Sequence, residues 1–247
     1  MIDWEIVADN LPAFAGGLVN TLILLATVVV SGFAVSVPLA LVRSMRSPYF
    51  SRAVWLFTYI IRGTPLLVQL FVIYYGIAQF EFVRSSAIWP LFRSPWFCAW
   101  LALTINTVAY TTEIFAGAIR TTAPGEIEAA RSIGLSRAAV LRYVIWPSAW
   151  RRALPQYGNE VVMMMHATAL ASTVTIVEVM RVARDVYTNY LVLAESFGVA
   201  AAIYLCLTIG LTTFFRWLET HFLRHLSRSN APNAREKPAE HLNPKVA

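Results

Sequence analysis

The 247-residue chain is 57% hydrophobic and only 14% charged, and its formal net charge is +6. So small a charged fraction argues against a soluble domain of this length, whose surface would need more charge. The basic residues flank long apolar runs, so the positive charge is explained by membrane topology and lipid headgroups rather than by nucleic acid.

Five stretches can cross a membrane, because about 20 mostly apolar residues span the hydrocarbon core. A soluble protein with buried core helices is the alternative, but uncharged runs of this length are rare there. The predicted fold is all-α, a polytopic membrane protein with about five transmembrane helices and a cytoplasmic helical loop. The predicted spans are residues 18–42, 63–80, 94–112, 153–177 and 196–215.

Charge placement predicts the orientation of the chain. Residues 1–17 carry three acidic residues and no lysine or arginine, whereas the first and third loops are rich in arginine. Since basic flanks prefer the cytoplasm, the N-terminus is predicted outside and the C-terminus inside. The transmembrane domain is predicted to cover residues 1–226, and the polar, proline-containing residues 227–247 to form a disordered cytoplasmic tail.

The third loop begins with a predicted short helix. Thr121 or Thr122 can cap it, and Pro124 is tolerated in its first turn. Gly134 suits a left-handed stop at the end of this helix.

A second short helix is predicted after the stop. Ser136 can cap it, and Pro147 is expected to end it after residues 137–145. From the residues alone, two readings of the loop remain open: a docking helix for another protein, or an amphipathic helix resting on the membrane surface.

The loop resembles the EAA loop of ABC importer permeases in its residues 128–130, its Gly134 and its residues 144–147. Trp146 stands where that family usually has leucine. The resemblance implies that the helix docks on a cytosolic ATPase and transmits its closure. The implied coupling residues are Glu128, Ala129, Ala130, Gly134 and Pro147.

Other segments narrow the branch of the family. Residues 62–70 and 109–120 resemble the polar amino-acid uptake permeases. In residues 159–170, His166 stands where most of that family has lysine, which resembles the histidine/lysine/arginine/ornithine permeases. Residues 79–92 resemble octopine and nopaline permeases. The resemblance therefore implies import of basic amino acids or of opines.

The resemblance also implies the partners and the location. The chain lacks GxxxxGK[ST], so it is expected to be no enzyme and to bind no cofactor, with ATP and Mg used by a separate ATPase dimer. A second, homologous permease subunit, a periplasmic solute-binding protein and membrane lipids are the other expected partners, and nucleic acid is not. The implied location is the bacterial inner membrane, with a periplasmic N-terminus and a cytoplasmic C-terminus.

Ionisable residues inside spans face a pathway or a partner, because they are expensive in lipid. Glu113 is predicted to be structural and to pair with Arg62 or Arg120.

The fourth span carries the polar residues most suited to a pathway. Glu160 and His166 lie six positions apart, so they point in directions about 120° apart, and one can face the pathway while the other meets a neighbouring helix. Thr168 and Ser172 add hydrogen-bonding groups to the predicted substrate pathway. A plain structural role for Glu160 and His166 remains the alternative.

Two other function classes remain to be weighed. A membrane-embedded enzyme would need a cluster of nucleophiles or metal ligands. The chain offers only His221 and His225, four positions apart and without a cysteine beside them, so a solvated helix face is favoured. A passive channel or scaffold differs from an importer in that ATP would not stimulate transport.

Overall fold

The computed structural model describes residues 4–45 and 48–227, and all regular structure in these ranges is helical. The all-α prediction is therefore confirmed for this part of the chain. The predicted tail lies outside the described residues, except for Ser227, which ends the last helix.

Eleven α-helices follow one another in the described ranges. They are α1 Trp4–Ser44, α2 Pro48–Arg62, α3 Leu66–Phe71, α4 Glu81–Arg84, α5 Trp89–Phe92, α6 Pro95–Arg120, α7 Pro124–Ser132, α8 Arg137–Val140, α9 Trp146–Ala167, α10 Val179–Tyr190 and α11 Leu193–Ser227. π-helical turns at Val72–Gly76 and Leu141–Ile145 and 3-10 turns at Ile77–Gln79 and Thr168–Val174 extend or join them.

Two helices, α1 and α11, are long and apolar enough to cross a membrane, and they contain the first and last predicted spans. The number rises to four if each of two bent stretches is one span: α2 with α3, bent by 98°, and α8–α9 with α10, bent by 48°. The remaining predicted span falls on α6, which has 26 residues but is not among these candidate spans. Its polar residues, such as Asn106, are tolerated because they are buried against other helices.

Helix α6 is the centre of the bundle and packs against α1, α2, α3 and α9. Alanines line much of its surface and let neighbouring backbones approach closely: Ala99, Ala102, Ala109 and Ala116 are all fully buried. Gly32 of α1 meets Thr107 of α6 so closely that a Cβ on Gly32 would overlap the Thr107 methyl group. The α1–α6 contact therefore depends on glycine at this position.

An aromatic cluster fixes the start of α9 against the centre of the bundle. The Phe115 ring is fully buried and stacks on Trp146 and Trp150, with centroids 5.8 and 5.5 Å apart. Phe33 of α1 meets Phe115 and Trp150 edge-on. Trp146, the departure from the family's usual leucine, thus packs as part of the core.

Helix α2 was not predicted, because the arginines of this segment are typical of a loop that flanks a span. The chain turns sharply between α2 and α3, and the side chain of Gln69 holds the corner. Its amide nitrogen donates to the Ile61 carbonyl at 2.7 Å and to the Thr64 carbonyl at 3.1 Å, and its oxygen accepts from Asn106 Nδ2 at 3.1 Å. Backbone carbonyls released by the helix break are therefore satisfied inside the bundle.

Candidate functional site

The loop between α6 and α9 contains the predicted helix, now α7. Pro124 occupies its first turn as expected, but Ala123 is the N-cap residue and provides no side-chain cap. The two predicted capping hydroxyls have other partners. Thr121 Oγ1 donates to the Ala118 carbonyl at 3.1 Å, and Thr122 Oγ1 accepts from Arg152 Nη2 at 2.8 Å. The capping prediction is wrong because α7 begins at Pro124, which leaves Ala123 and neither threonine at the N-cap position.

Gly134 ends α7 in the predicted left-handed conformation, with φ of +85°. Its amide donates to the Arg131 carbonyl at 2.9 Å, and the next amide, of Leu135, reaches back to the Ala130 carbonyl at 3.2 Å. A Cβ on Gly134 would meet nothing within 4 Å. Glycine is therefore favoured here by the backbone conformation and not by lack of space.

The predicted second helix is shorter than expected. Ser136 Oγ accepts from the Ala139 amide at 3.3 Å, which confirms the predicted cap. The helix then passes through a π turn directly into α9, and Pro147 lies in the first turn of α9 instead of ending a helix. The helical run continues past Pro147 with the π turn directly before it, so the predicted stop at Pro147 is wrong.

The predicted coupling residues lie on different faces of the loop. Glu128, Ala129 and Gly134 are exposed, whereas Ala130 is buried. Ile133 beside the glycine stop is 77% exposed, an apolar side chain outside the bundle. The loop thus exposes a small alanine, a glycine and one isoleucine beside the charged side chains of Glu128 and Arg131.

Glu160 is a buried carboxylate in the middle of α9 and faces α6. Thr107 Oγ1 donates to it at 3.4 Å, and Glu160 is 8% exposed. Thr107 neighbours Asn106, which is bound to Gln69 at the corner between α2 and α3. A carboxylate, an amide pair and a hydroxyl therefore lie close together inside the bundle.

The other predicted pathway residues do not join Glu160. His166 is exposed and its Nε2 lies 3.0 Å from Thr208 Oγ1 on α11. Thr168 and Ser172 are buried, and their hydroxyls donate to carbonyls three residues earlier, at 2.6 and 2.7 Å. Among the described residues, no hydrogen bond links Glu160 to these three side chains. The predicted divergence of Glu160 and His166 is confirmed.

The intramembrane charge Glu113 forms its ion pair with Arg43 and not with Arg62 or Arg120, although Arg120 still acts on the carboxylate electrostatically. Arg43 Nε donates to Glu113 Oε1 at 2.8 Å, and Thr58 Oγ1 donates to the same oxygen at 2.8 Å. The guanidinium of Arg62 instead lies over the Tyr110 ring, 5.1 Å from its centroid. Arg43 reaches Glu113 because α1 packs along α6 and ends beside this level of the bundle.

Glu178 was not predicted, although it is a fully buried carboxylate at the start of α10. It accepts from the amides of Met180 and Arg181, at 2.9 and 2.8 Å, and from Tyr204 Oη at 2.7 Å. The sequence contained one signal for this residue: it is a single acidic residue between an apolar run and an amphipathic one. Glu178 thus ties α10 to α11.

Of the weakly supported histidine pair, His221 stacks on the Trp217 ring, with centroids 5.8 Å apart. The side chain of His225 lies outside the described residues.

A helical bundle with a helix–glycine–helix loop at one end matches a known family. The chain belongs to the binding-protein-dependent transport system inner membrane components, whose family model matches residues 32–228. Such proteins reside in the inner membrane, in agreement with the predicted membrane residence.

Several curated relatives are similar over most of their length. The nopaline transport system permease protein of Agrobacterium fabrum is 43% identical over 240 residues, 95% of this chain and 99% of the relative. The histidine/lysine/arginine/ornithine transport system permease protein of Salmonella typhimurium is 47% identical over 212 residues, 85% of this chain and 90% of the relative. The octopine transport system permease protein of Rhizobium radiobacter is 40% identical and covers 84% of each chain.

Solved structures share the fold. A crystal structure of an amino acid ABC transporter with histidines superposes with a TM-score of 0.80 at 30% identity, covering 90% of this chain and 99% of the other. An inward-facing methionine ABC transporter superposes with a TM-score of 0.72 at 17% identity, covering 86% and 97%, and supports the fold alone.

Proposed function

We propose that this chain is a transmembrane permease subunit of an ATP-driven, binding-protein-dependent importer for basic amino acids or opines. The observation that carries the proposal is the loop after α6, in which an exposed short helix ends at a left-handed Gly134 outside the bundle. Relatives at 40–47% identity whose names specify nopaline, octopine and basic amino acids support the substrate class.

The orientation follows from the arginines at one end of the bundle. Arg43, Arg120 and Arg152 are joined there by hydrogen bonds to backbone carbonyls or to Glu113, beside the loop that contains α7. Because basic residues prefer the cytoplasmic side, this end faces the cytoplasm. The N-terminus is then periplasmic and the C-terminus cytoplasmic, with residues 1–226 as the transmembrane domain.

The coupling contact lies on α7. Glu128, Ala129 and Gly134 offer an exposed surface of small side chains to a cytosolic ATPase dimer, and the buried Ala130 seats the helix on its own subunit. Pro147 begins the helix that carries the motion back into the membrane. ATP and Mg²⁺ are held by the ATPase, since this chain has no P-loop sequence.

The pathway runs along α9. Glu160 is its best-supported member, because a carboxylate in a partly dry bundle attracts a cationic side chain strongly. His166 meets α11 on another face of α9, and Thr168 and Ser172 lie in the 3-10 turn that follows α9, so these three would contribute to the pathway separately from Glu160. A second, homologous permease subunit completes the enclosure, and a periplasmic binding protein delivers substrate as the two bundles alternate between inward- and outward-open states.

The test is uptake by the complete importer in proteoliposomes, with labelled arginine, lysine, histidine, ornithine, octopine and nopaline. We expect uptake of at least one of these cationic compounds only when ATP and liganded binding protein are both present. Equal uptake without ATP would identify a passive channel and refute the proposal.

The coupling contact has its own matched pair of variants. We expect Glu128→Arg to abolish ATP-driven uptake while insertion stays normal, and Glu126→Arg, also exposed on α7, to leave uptake within about twofold of wild type. Normal transport by the Glu128 variant would contradict the coupling assignment.

The pathway residue is tested by Glu160→Gln. We expect at least a tenfold rise in the KM for basic substrates, because the buried carboxylate no longer offsets the cation. Unchanged KM values for uptake of arginine, histidine and ornithine would show that Glu160 has only a structural role.

A further inference from the structure

The chain leaves the bundle at the end of α6 and returns at the start of α9, and Arg152 links α9 by hydrogen bonds both to the end of α6 and to the start of the loop. Arg152, in the second turn of α9, donates from Nη2 to the Ala118 carbonyl at 2.9 Å and from Nε to the same oxygen at 3.3 Å. Its Nη2 also donates to Thr122 Oγ1 at 2.8 Å, one residue before the N-cap of α7. The three residues Ala118, Thr122 and Arg152 are called the Arg152 clamp below.

The geometry of the clamp suits arginine in particular. Ala118 lies in the last turn of α6, where carbonyls lack intrahelical partners and the helix end is negative. A guanidinium presents several donors in a fixed plane, so it can hold a carbonyl and a hydroxyl together. Ser148 Oγ accepts from Arg152 Nη1 at 2.7 Å and fixes the rotamer of the side chain.

The end of α6 is also bound to the other helices at this level. Arg120 Nη2 donates to the Arg43 carbonyl of α1 at 2.9 Å, and Arg43 pairs with Glu113 of α6. The clamp therefore connects α9 and the start of the loop to a unit that already contains α1, α2 and α6.

We propose that Arg152 is a positioning residue that ties the start of α7 to the packed ends of α6 and α9, so that a displacement of α7 reaches α6 and α9 together. The inference rests on the proposed coupling function of this loop. Without the clamp, the Phe115 stack on Trp146 and Trp150 still holds α6 to α9. The start of α7 then keeps its chain connection through residues 121–123 and the packing of α7 on the π turn at Leu141–Ile145, but no side-chain bond to α9. A displacement of α7 is then absorbed in these connections instead of moving the bundle.

The experiment measures ATP hydrolysed per substrate imported by the complete importer in proteoliposomes, for Arg152→Gln, Arg152→Lys and Arg151→Gln. We expect the ratio to rise about tenfold in Arg152→Gln, because charge-assisted hydrogen bonds are lost, and less in Arg152→Lys, which keeps the charge without the fork. Arg151 is exposed and has no hydrogen bond among the described residues, so Arg151→Gln should match wild type.

A second variant keeps the test decisive if Arg152→Gln does not reach the membrane. Thr122→Val removes one acceptor at nearly constant volume, and we expect about a threefold rise in the ratio. Where both single variants assemble, the double variant should add nothing to Arg152→Gln, because contacts within one network are not additive.

A merely structural role would lower ATP hydrolysis and uptake in parallel and leave their ratio unchanged, which would overturn the inference. A wild-type ratio in both Thr122→Val and Arg152→Lys would overturn it as well. Failure of the proposed function looks different, because wild-type vesicles would then show no ATP-dependent uptake at all.

Discussion

Replacing Arg43 with methionine tests the ion pair that joins α1 to α6. The guanidinium and the Glu113 carboxylate are 2.8 Å apart, with side chains only 16% and 19% exposed. A hydrogen bond to a charged group contributes about 1.5–3 kcal/mol. The Thr58 hydroxyl still donates to the carboxylate after the change, so the charge keeps one partner. We therefore expect a loss of about 2 kcal/mol in the free energy of unfolding.

The assay is unfolding of the purified permease in mixed micelles with increasing dodecyl sulfate, followed by tryptophan fluorescence. Arg52→Met is the control, because Arg52 is exposed on α2. Adding Glu113→Gln to Arg43→Met should recover part of the loss, because the unpaired charge is removed, with a coupling energy of about 1–2 kcal/mol. If Arg43→Met and Arg52→Met differ by less than about 0.5 kcal/mol, the ion pair does not stabilise the bundle.

Three further changes probe close packing, backbone conformation and a buried bond. Gly32→Ala should lower the free energy of unfolding by about 1–3 kcal/mol, because the new methyl group overlaps the threonine methyl on α6. Gly117→Ala is the control and should leave the free energy of unfolding unchanged, since the space around its Cβ is open; equal losses would refute the packing account. Gly134→Val should disturb the end of α7 with little global destabilisation, so that coupled uptake falls while the midpoint in dodecyl sulfate stays within error. Tyr204→Phe should leave the Glu178 carboxylate with only backbone donors and cost about 1–2 kcal/mol, measured in the same assay; no loss would mean that the 2.7 Å bond does not contribute.

Local rules predicted the features that depend on a few neighbouring residues. Gly134 adopts the left-handed stop and Ser136 caps the next turn, because both properties follow from the side chain and the adjacent amides. The apolar runs also located α1 and α11, since length alone distinguishes a span.

Long-range contacts explain most of what the sequence did not reveal. Thr122 was predicted as a cap, but Arg152, 30 positions later, binds its hydroxyl. The sequence did not predict Arg43 as the ion-pair partner of Glu113, because Arg43 lies 70 positions earlier and is brought close only by the packing of α1 along α6. Helix α2 was missed because arginines in its sequence resemble the flank of a span.

The corner between α2 and α3 has a mechanical consequence. The Gln69 amide occupies the free carbonyls at the break and is itself bound by Asn106, so opening the 98° angle would break these hydrogen bonds. The angle between α2 and α3 should therefore stay fixed during transport. Spin labels placed on α2 and α3 should keep the same distance distribution throughout the nucleotide cycle.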